Sequence, residues 1–195
     1  MASVIGVIAP LFALSYLASQ LFSILKGVPY VPANRRAINN ILSFADLKKT
    51  DILYDLGSGD GRILIGAVKD FGVQRCVGYE IAPWPYLKSK LAIFYQRLGK
   101  EIRIIRKSYL KADVSDATII CVYLLPKALN QLLGTLNLKE NSRLLSLQFP
   151  ISNHDDFDMD FIRSGSYLNT DFYLYKKGED RHGRSLVFNP PSIVR

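Results

Sequence analysis

Cysteine and histidine are scarce: the 195 residues hold two of each. So few cysteines exclude a disulfide scaffold. Cys76 and Cys121 sit inside the apolar runs RCVGYE and IICVYLL and read as reduced core residues. His154 and His182 have no Cys or His companions at ligand spacing, so no metal site is expected. Acids are also in short supply, 17 against 25 Lys and Arg, which leaves a net charge of +8. That excess suits nucleic acid, an anionic membrane surface or an acidic ligand. No aromatic-rich RNA motif accompanies the basic residues, so no nucleic-acid partner is expected. Lys88, Lys90, Arg97, Lys100, Arg103, Arg106 and Lys107 read as a mostly solvated set. Near anionic lipid each such residue would contribute about 1 kcal/mol. The sequence has no internal repeat.

Charge is missing altogether from residues 2–25. As a helix this stretch would reach about 36 Å, enough for a hydrocarbon core of about 30 Å. No Lys or Arg precedes it, so the basic start of a secretory signal is absent. Lys26, Arg35, Arg36, Lys48 and Lys49 follow it. By the positive-inside rule the rest of the chain faces the cytoplasm or a matrix-like compartment. The competing reading is a buried or interfacial helix, because four serines, a Gln and a Pro interrupt the stretch.

Two prolines three apart in residues 27–32 stop that helix and make an extended linker. Residues 33–44 carry apolar side chains at 37, 38, 41, 42 and 44, the stripe of a helix. Strands are then expected at 51–56, 75–80, 102–106, 118–125 and 143–149, and helices at 61–71, 84–99 and 126–135. Such alternation predicts an α/β fold with a doubly wound, mostly parallel sheet. Two further strands around 161–163 and 172–175, with Gly165 and Asn169 between them, predict an antiparallel C-terminal pair. The expected organisation is a single transmembrane anchor over 1–27, a folded α/β domain over 28–178 and a loose tail over 179–195.

Residues 55–61 read DLGSGDG at the end of the first strand. Gly57, Gly59 and Gly61 let the backbone approach a ligand, since no Cβ obstructs it. A dinucleotide fingerprint needs its third glycine at 62, which is Arg, and a P-loop needs Gly-Lys-Ser/Thr, which is absent. Asp55 would oppose a pyrophosphate and suits a ligand with a positive amino group. Glu80 ends the second strand, where a carboxylate can accept from both hydroxyls of a ribose. An ordinary Gly-rich turn and a helix-start acid before Pro83 are the plain alternatives.

The pattern DLGSGDG with Glu80 resembles the seven-strand, class I S-adenosylmethionine-dependent methyltransferases, a Rossmann-like fold. A single apolar span, PYVPA, DLGSGDGRI, YE-x-x-PW and SDAT-x-x-x-x-YLLP together resemble one group of these. That group is the membrane-anchored protein-lysine methyltransferases of the ATP synthase c-subunit and the adenine nucleotide translocase, with their prokaryotic relatives. The likeness covers about residues 1–150 and is most specific at 29–33, 55–63, 79–84 and 115–126. It implies that Gly57, Ser58, Gly59, Asp60 and Gly61 hold the methionine part of S-adenosylmethionine, Asp55 its amino group and Glu80 its ribose. Tyr123, Leu124 and Pro126 would lie beside the sulfonium methyl, and residues 29–32 would form part of a lid. Ser108 stands where the family often has an acid facing the adenine, and Asp113 is the alternative contact.

A lysine nucleophile must lose its proton, which costs about 4.6 kcal/mol at pH 7 from a pKa near 10.4. A dry slot lowers that cost. Tyr123 and the Leu124 carbonyl are the candidates for orienting the amine, and Tyr30 and Trp84 for walls of the slot. The expected function is a single-pass membrane methyltransferase that modifies a lysine of a membrane protein, with residues 2–25 in the lipid bilayer. Rivals are a methyltransferase for a small molecule, lipid or quinone, a dinucleotide oxidoreductase and a non-catalytic membrane scaffold.

Overall fold

The computed structural model describes residues 35–178 and the isolated position Pro10. The expected span at 2–25, the linker at 27–32 and the tail at 179–195 lie outside the described residues. Among the described residues no helix is long and apolar enough to cross a membrane.

Helix α1 (Arg35–Phe44) opens the fold. Its Ala37, Ile38, Ile41 and Leu42 are buried, the three- and four-residue spacing of one helical face. Then come β1 (Ile52–Leu56), α2 (Arg62–Phe71), β2 (Arg75–Tyr79), α3 (Pro83–Tyr95), β3 (Ile102–Ile105) and β4 (Ile119–Val122). Helix α4 (Pro126–Leu133) and strands β5 (Arg143–Leu147), β6 (Met159–Tyr167) and β7 (Thr170–Lys177) complete it. Short 3-10 turns sit at Tyr109–Lys111 and His154–Phe157.

The seven strands form one sheet in the order β3-β2-β1-β4-β5-β7-β6. The first five are parallel, and β7 runs antiparallel to both β5 and β6. This is the expected doubly wound, mostly parallel sheet with its antiparallel pair. Strands β1, β2, β4 and β5 are buried almost throughout, as helices on both faces require. On one face α1, α2 and α3 cover Leu53, Cys76, Ile119 and Cys121. On the other, Leu129, Leu132 and Leu133 of α4 cover Tyr54, Val77, Ile120 and Leu144. Both cysteines are free and buried.

Several boundaries differ from expectation. The fourth strand ends at Val122, not 125, because Pro126 already begins α4 and the preceding residue takes an extended conformation. Helix α3 stops at Tyr95 rather than 99, and Arg97 has a left-handed φ of 57°. The C-terminal pair is longer than expected. Its turn lies at Leu168 and Asn169, with φ of 49° and 61°, the handedness that a tight hairpin requires. Gly165 does not end the strand. It lets β6 lie against Phe172, whose Cε2 would stand 2.5 Å from a Cβ there.

Candidate active site

Register places the site. Leu56 pairs with both Tyr79 and Val122, and Tyr79 pairs with Ile105. Four adjacent strands therefore end at one level, and the loops 57–61, 80–82, 106–108 and 123–125 share one edge of the sheet. From β1 the chain winds outward through β2 and β3, then crosses back to β4 on the other side of β1. That reversal opens the crevice where α/β sheets bind ligands.

The glycine turn is held by its neighbour strand. The Gly57 and Ser58 N–H groups both donate to the Tyr79 carbonyl, at 2.9 and 3.0 Å. Gly59 N–H donates to Glu80 Oε2 at 2.9 Å, and Ala82 N–H donates to Glu80 Oε1 at 2.7 Å. Gly57, Gly59 and Gly61 all take positive φ, 96°, 55° and 77°, a conformation costly for any residue with a Cβ. Gly61 caps α2 and closes the turn by donating to the Ser58 carbonyl at 2.8 Å. A Cβ on Gly61 would lie 3.3 Å from Ser89 Cβ, so this glycine also brings α2 close to α3.

The electrostatics of the turn favour a cation. Asp55 is buried at the end of β1, and its carboxyl is pushed up to about 8 by burial first, then by the negative charges of Glu80 and Asp60. Burial also raises Glu80, against the opposing hydrogen bonds from Ala82, Gly59 and Ile81. Two buried polar atoms here have no partner, Asp55 Oδ2 and Ser58 Oγ. Orphaned buried polar groups are costly and ask for a ligand. An amino acid head group with a positive ammonium would answer the orphaned Asp55 carboxyl and relieve the crowding of carboxylates. The residues present thus fit the methionine end of S-adenosylmethionine, and Glu80 follows the end of the adjacent strand β2.

The other expected residues reach the same edge with different surroundings. Asp60 is gripped by Arg62 through Nε at 2.7 Å and Nη2 at 2.6 Å, with Lys88 at 3.4 Å. It lines a cavity of about 490 Å³ between α1, α2 and α3, so its charge is matched and its carboxylate holds the loop. Ser108 accepts from Leu110 N–H at 3.4 Å and starts the 3-10 turn after β3. Tyr123 is half-buried against the α1–α2–α3 side, and burial raises its hydroxyl pKa. It stays a neutral phenol. Leu124 is buried, and its Cδ2 would lie 3.8 Å from a Cβ at Gly57, so its side chain packs beside the glycine turn. Pro126 is the first residue of α4.

Gly78 belongs to none of the motifs in the sequence, yet it shapes the site. A Cβ there would meet Ile104 Cδ1 and Ser58 Oγ at 2.7 Å and Leu64 Cδ1 at 2.8 Å. The signal that could have found it is a glycine inside the buried strand pattern CVGYE, which marks a close approach. The Lys88 contact to Asp60 escapes sequence reasoning as well, because those side chains lie 28 residues apart and come together only in the fold.

Residues 55–156 match the family described as the ANTKMT methyltransferase domain. The chain is 33% identical over 156 residues to a protein-lysine N-methyltransferase of Saccharolobus islandicus (strain REY15A), covering 79% of this chain and 96% of that protein. It is 32% identical over 128 residues to the lysine N-methyltransferase of the ATP synthase c-subunit from Xenopus laevis, 65% of this chain but 55% of the relative. A similar likeness, 32% over 126 residues, links it to the adenine nucleotide translocase lysine N-methyltransferase of Mus musculus, of which it spans 54%. The two animal enzymes are thus matched over about half their length. Among solved structures, an RNA methyltransferase from Salinibacter ruber in complex with S-adenosyl-L-homocysteine superposes with a TM-score of 0.68. That pair is 28% identical, covering 79% of this chain and 98% of the other. Sheet order, glycine turn and shared sequence agree, and the chain belongs to the ANTKMT methyltransferase domain family, as a methyltransferase whose methyl donor is S-adenosylmethionine.

Proposed function

We propose that the protein methylates a lysine side chain of a membrane protein, and does so from a single-pass anchor at residues 2–25. One observation carries the donor side: Asp55 Oδ2, just before a turn of three left-handed glycines, and Ser58 Oγ, within it, are buried and unpartnered. The acceptor side is supported by the names of the relatives, which are lysine methyltransferases, two of them for the ATP synthase c-subunit and the adenine nucleotide translocase. When bound, S-adenosylmethionine supplies a sulfonium-activated methyl group that a neutral amine can displace. The chain's own residues bind and orient. Asp55 faces the donor's ammonium, Glu80 its ribose hydroxyls, and the Tyr123 hydroxyl with the Leu124 carbonyl aligns the incoming amine. Because Tyr123 is held neutral, it orients the amine without removing its proton. Partial exclusion of water at this edge favours the uncharged lysine. The catalytic domain lies on the cytoplasmic or matrix side, where the basic residues after the span would hold it.

The test is mass spectrometry of membrane proteins from cells with and without the gene, read for lysines gaining mass in steps of one methyl group. Labelled donor added to membrane extract separates the rivals. Label in protein supports the proposal, and label in lipid would replace it with a lipid or quinone acceptor. Label in RNA would follow the Salinibacter neighbour, the specific likeness that favours a second reading. Glu80→Ala is expected to abolish donor binding without unfolding the domain. Undiminished binding would argue against the assigned site.

A further inference from the structure

Helix α3 is apolar on two sides. Pro85, Ser89 and Ile93 are its buried side. Leu87 and Leu91 are 47% and 48% exposed, and Phe94 and Tyr95 are 75% and 78% exposed. At 3.6 residues per turn these four fall within roughly 100° of arc on the solvent side. Lys90 borders one edge of that arc and Lys88 the other. Lys88 reaches Asp60 at 3.4 Å yet keeps 64% of its side chain exposed. No Asp or Glu occurs on α3, and exposed Arg97 and Lys100 follow it.

A contiguous exposed apolar stripe marks an interaction surface, and its borders identify the partner. Lysines at both edges of an apolar arc suit a lipid interface, where the stems lie along acyl chains and the ammonium groups reach the phosphates. A second copy would set lysine borders against lysine borders with no carboxylate between them. The whole chain carries +8, which favours an anionic surface over any basic one. We propose that the solvent face of α3 is a membrane-docking surface, which lays the domain flat on an anionic bilayer in addition to whatever residues 2–25 contribute. The proposal concerns the posture of the domain and stands whether or not the methyl acceptor is a lysine. Since α3 begins three residues after Glu80 and runs along the sheet, this posture sets the crevice at the rim of the bilayer rather than out in solution.

The chain carries its own reporter: its one tryptophan, Trp84, is on the first turn of α3, at an angular position between Leu91 and Tyr95. Full-length protein is reconstituted into phosphatidylcholine vesicles with or without phosphatidylglycerol, using brominated acyl chains as quencher. Trp84 emission is expected to shift to the blue and to be quenched when phosphatidylglycerol is present. The double variant Leu91→Glu/Phe94→Glu is expected to lose the quenching while still binding S-adenosylhomocysteine in the same sample. Absence of quenching in the native protein would overturn the proposal, as would quenching that survives the double variant. A blue shift that needs no vesicles and grows with protein concentration would replace the bilayer with a second copy. In the native protein, failed S-adenosylhomocysteine binding with intact quenching would count against the site's assignment and leave the docking surface standing.

Discussion

Asp55 shows how much one carboxyl can reveal. Its pKa in the folded protein is raised from 3.8 to about 8, so between those values the folded state binds more protons than the unfolded state. Stability from this group is therefore lost as pH climbs through that window. Asp55→Asn removes the penalty, and its melting temperature should exceed that of the native protein at pH 8 and converge with it near pH 4. A donor with an ammonium group stabilises the charged carboxylate instead. Binding to the native protein should release a proton at neutral pH and tighten as pH rises toward 8, measurable by calorimetry in buffers of different ionisation enthalpy. The asparagine variant should bind S-adenosylhomocysteine about 10- to 100-fold more weakly. Gly78 makes a steric prediction at the same scale. Gly78→Ala forces a methyl group against Ser58, Leu64 and Ile104, which should cost about 1–3 kcal/mol in urea unfolding and weaken donor binding by displacing Ser58. At the residue scale Asp55, the glycines and Glu80 were legible because their spacing is local. Gly78 and Lys88 were not, since each matters through a contact between segments far apart in sequence.

Elements are tied together at the opposite edge of the sheet by a clamp that no local pattern announced. Arg143 at the start of β5 donates to Asp51 Oδ2 at 2.6 Å and to the Ala45 and Asp46 carbonyls beyond α1. Thr118, before β4, donates to Asp51 Oδ1 at 2.7 Å and accepts from Ile52 N–H at 2.9 Å. Burial alone would raise the Asp51 pKa, but hydrogen bonds from Arg143, Lys48 and Thr118 and the Arg143 charge hold it below 3.8. The clamp's contribution is thus present above the unfolded value and lost as pH falls through the folded one. Arg143→Ala should lower unfolding free energy by about 3 kcal/mol at pH 7, with the deficit shrinking in acid, read from urea midpoints at both pH values. Alternation of strands and helices was visible in the sequence because burial on both faces forces apolar runs. The ends were less so. The hairpin turn lies at Leu168 and Asn169, while Gly165, the other residue expected between the strands, falls inside β6 because it packs against Phe172.

At the scale of the molecule, the charge-free residues 2–25 and the basic domain behind them make one prediction together. The full chain should stay in the membrane pellet through alkaline carbonate extraction, and protease added from the cytoplasmic or matrix side should digest the domain. Release by carbonate would leave α3 and the net charge of +8 as the remaining means of attachment, and salt would then detach the protein. The sequence alone determined the fold class, the glycine turn, the two strand-end acids and the family resemblance, since each is written in periodicity or in spacing along the chain. Tertiary structure decided which carboxylate stays charged, which glycine protects Ser58, and which side of α3 meets solvent. Those depend on burial and on distances between segments far apart in sequence, and chain order does not encode either one locally.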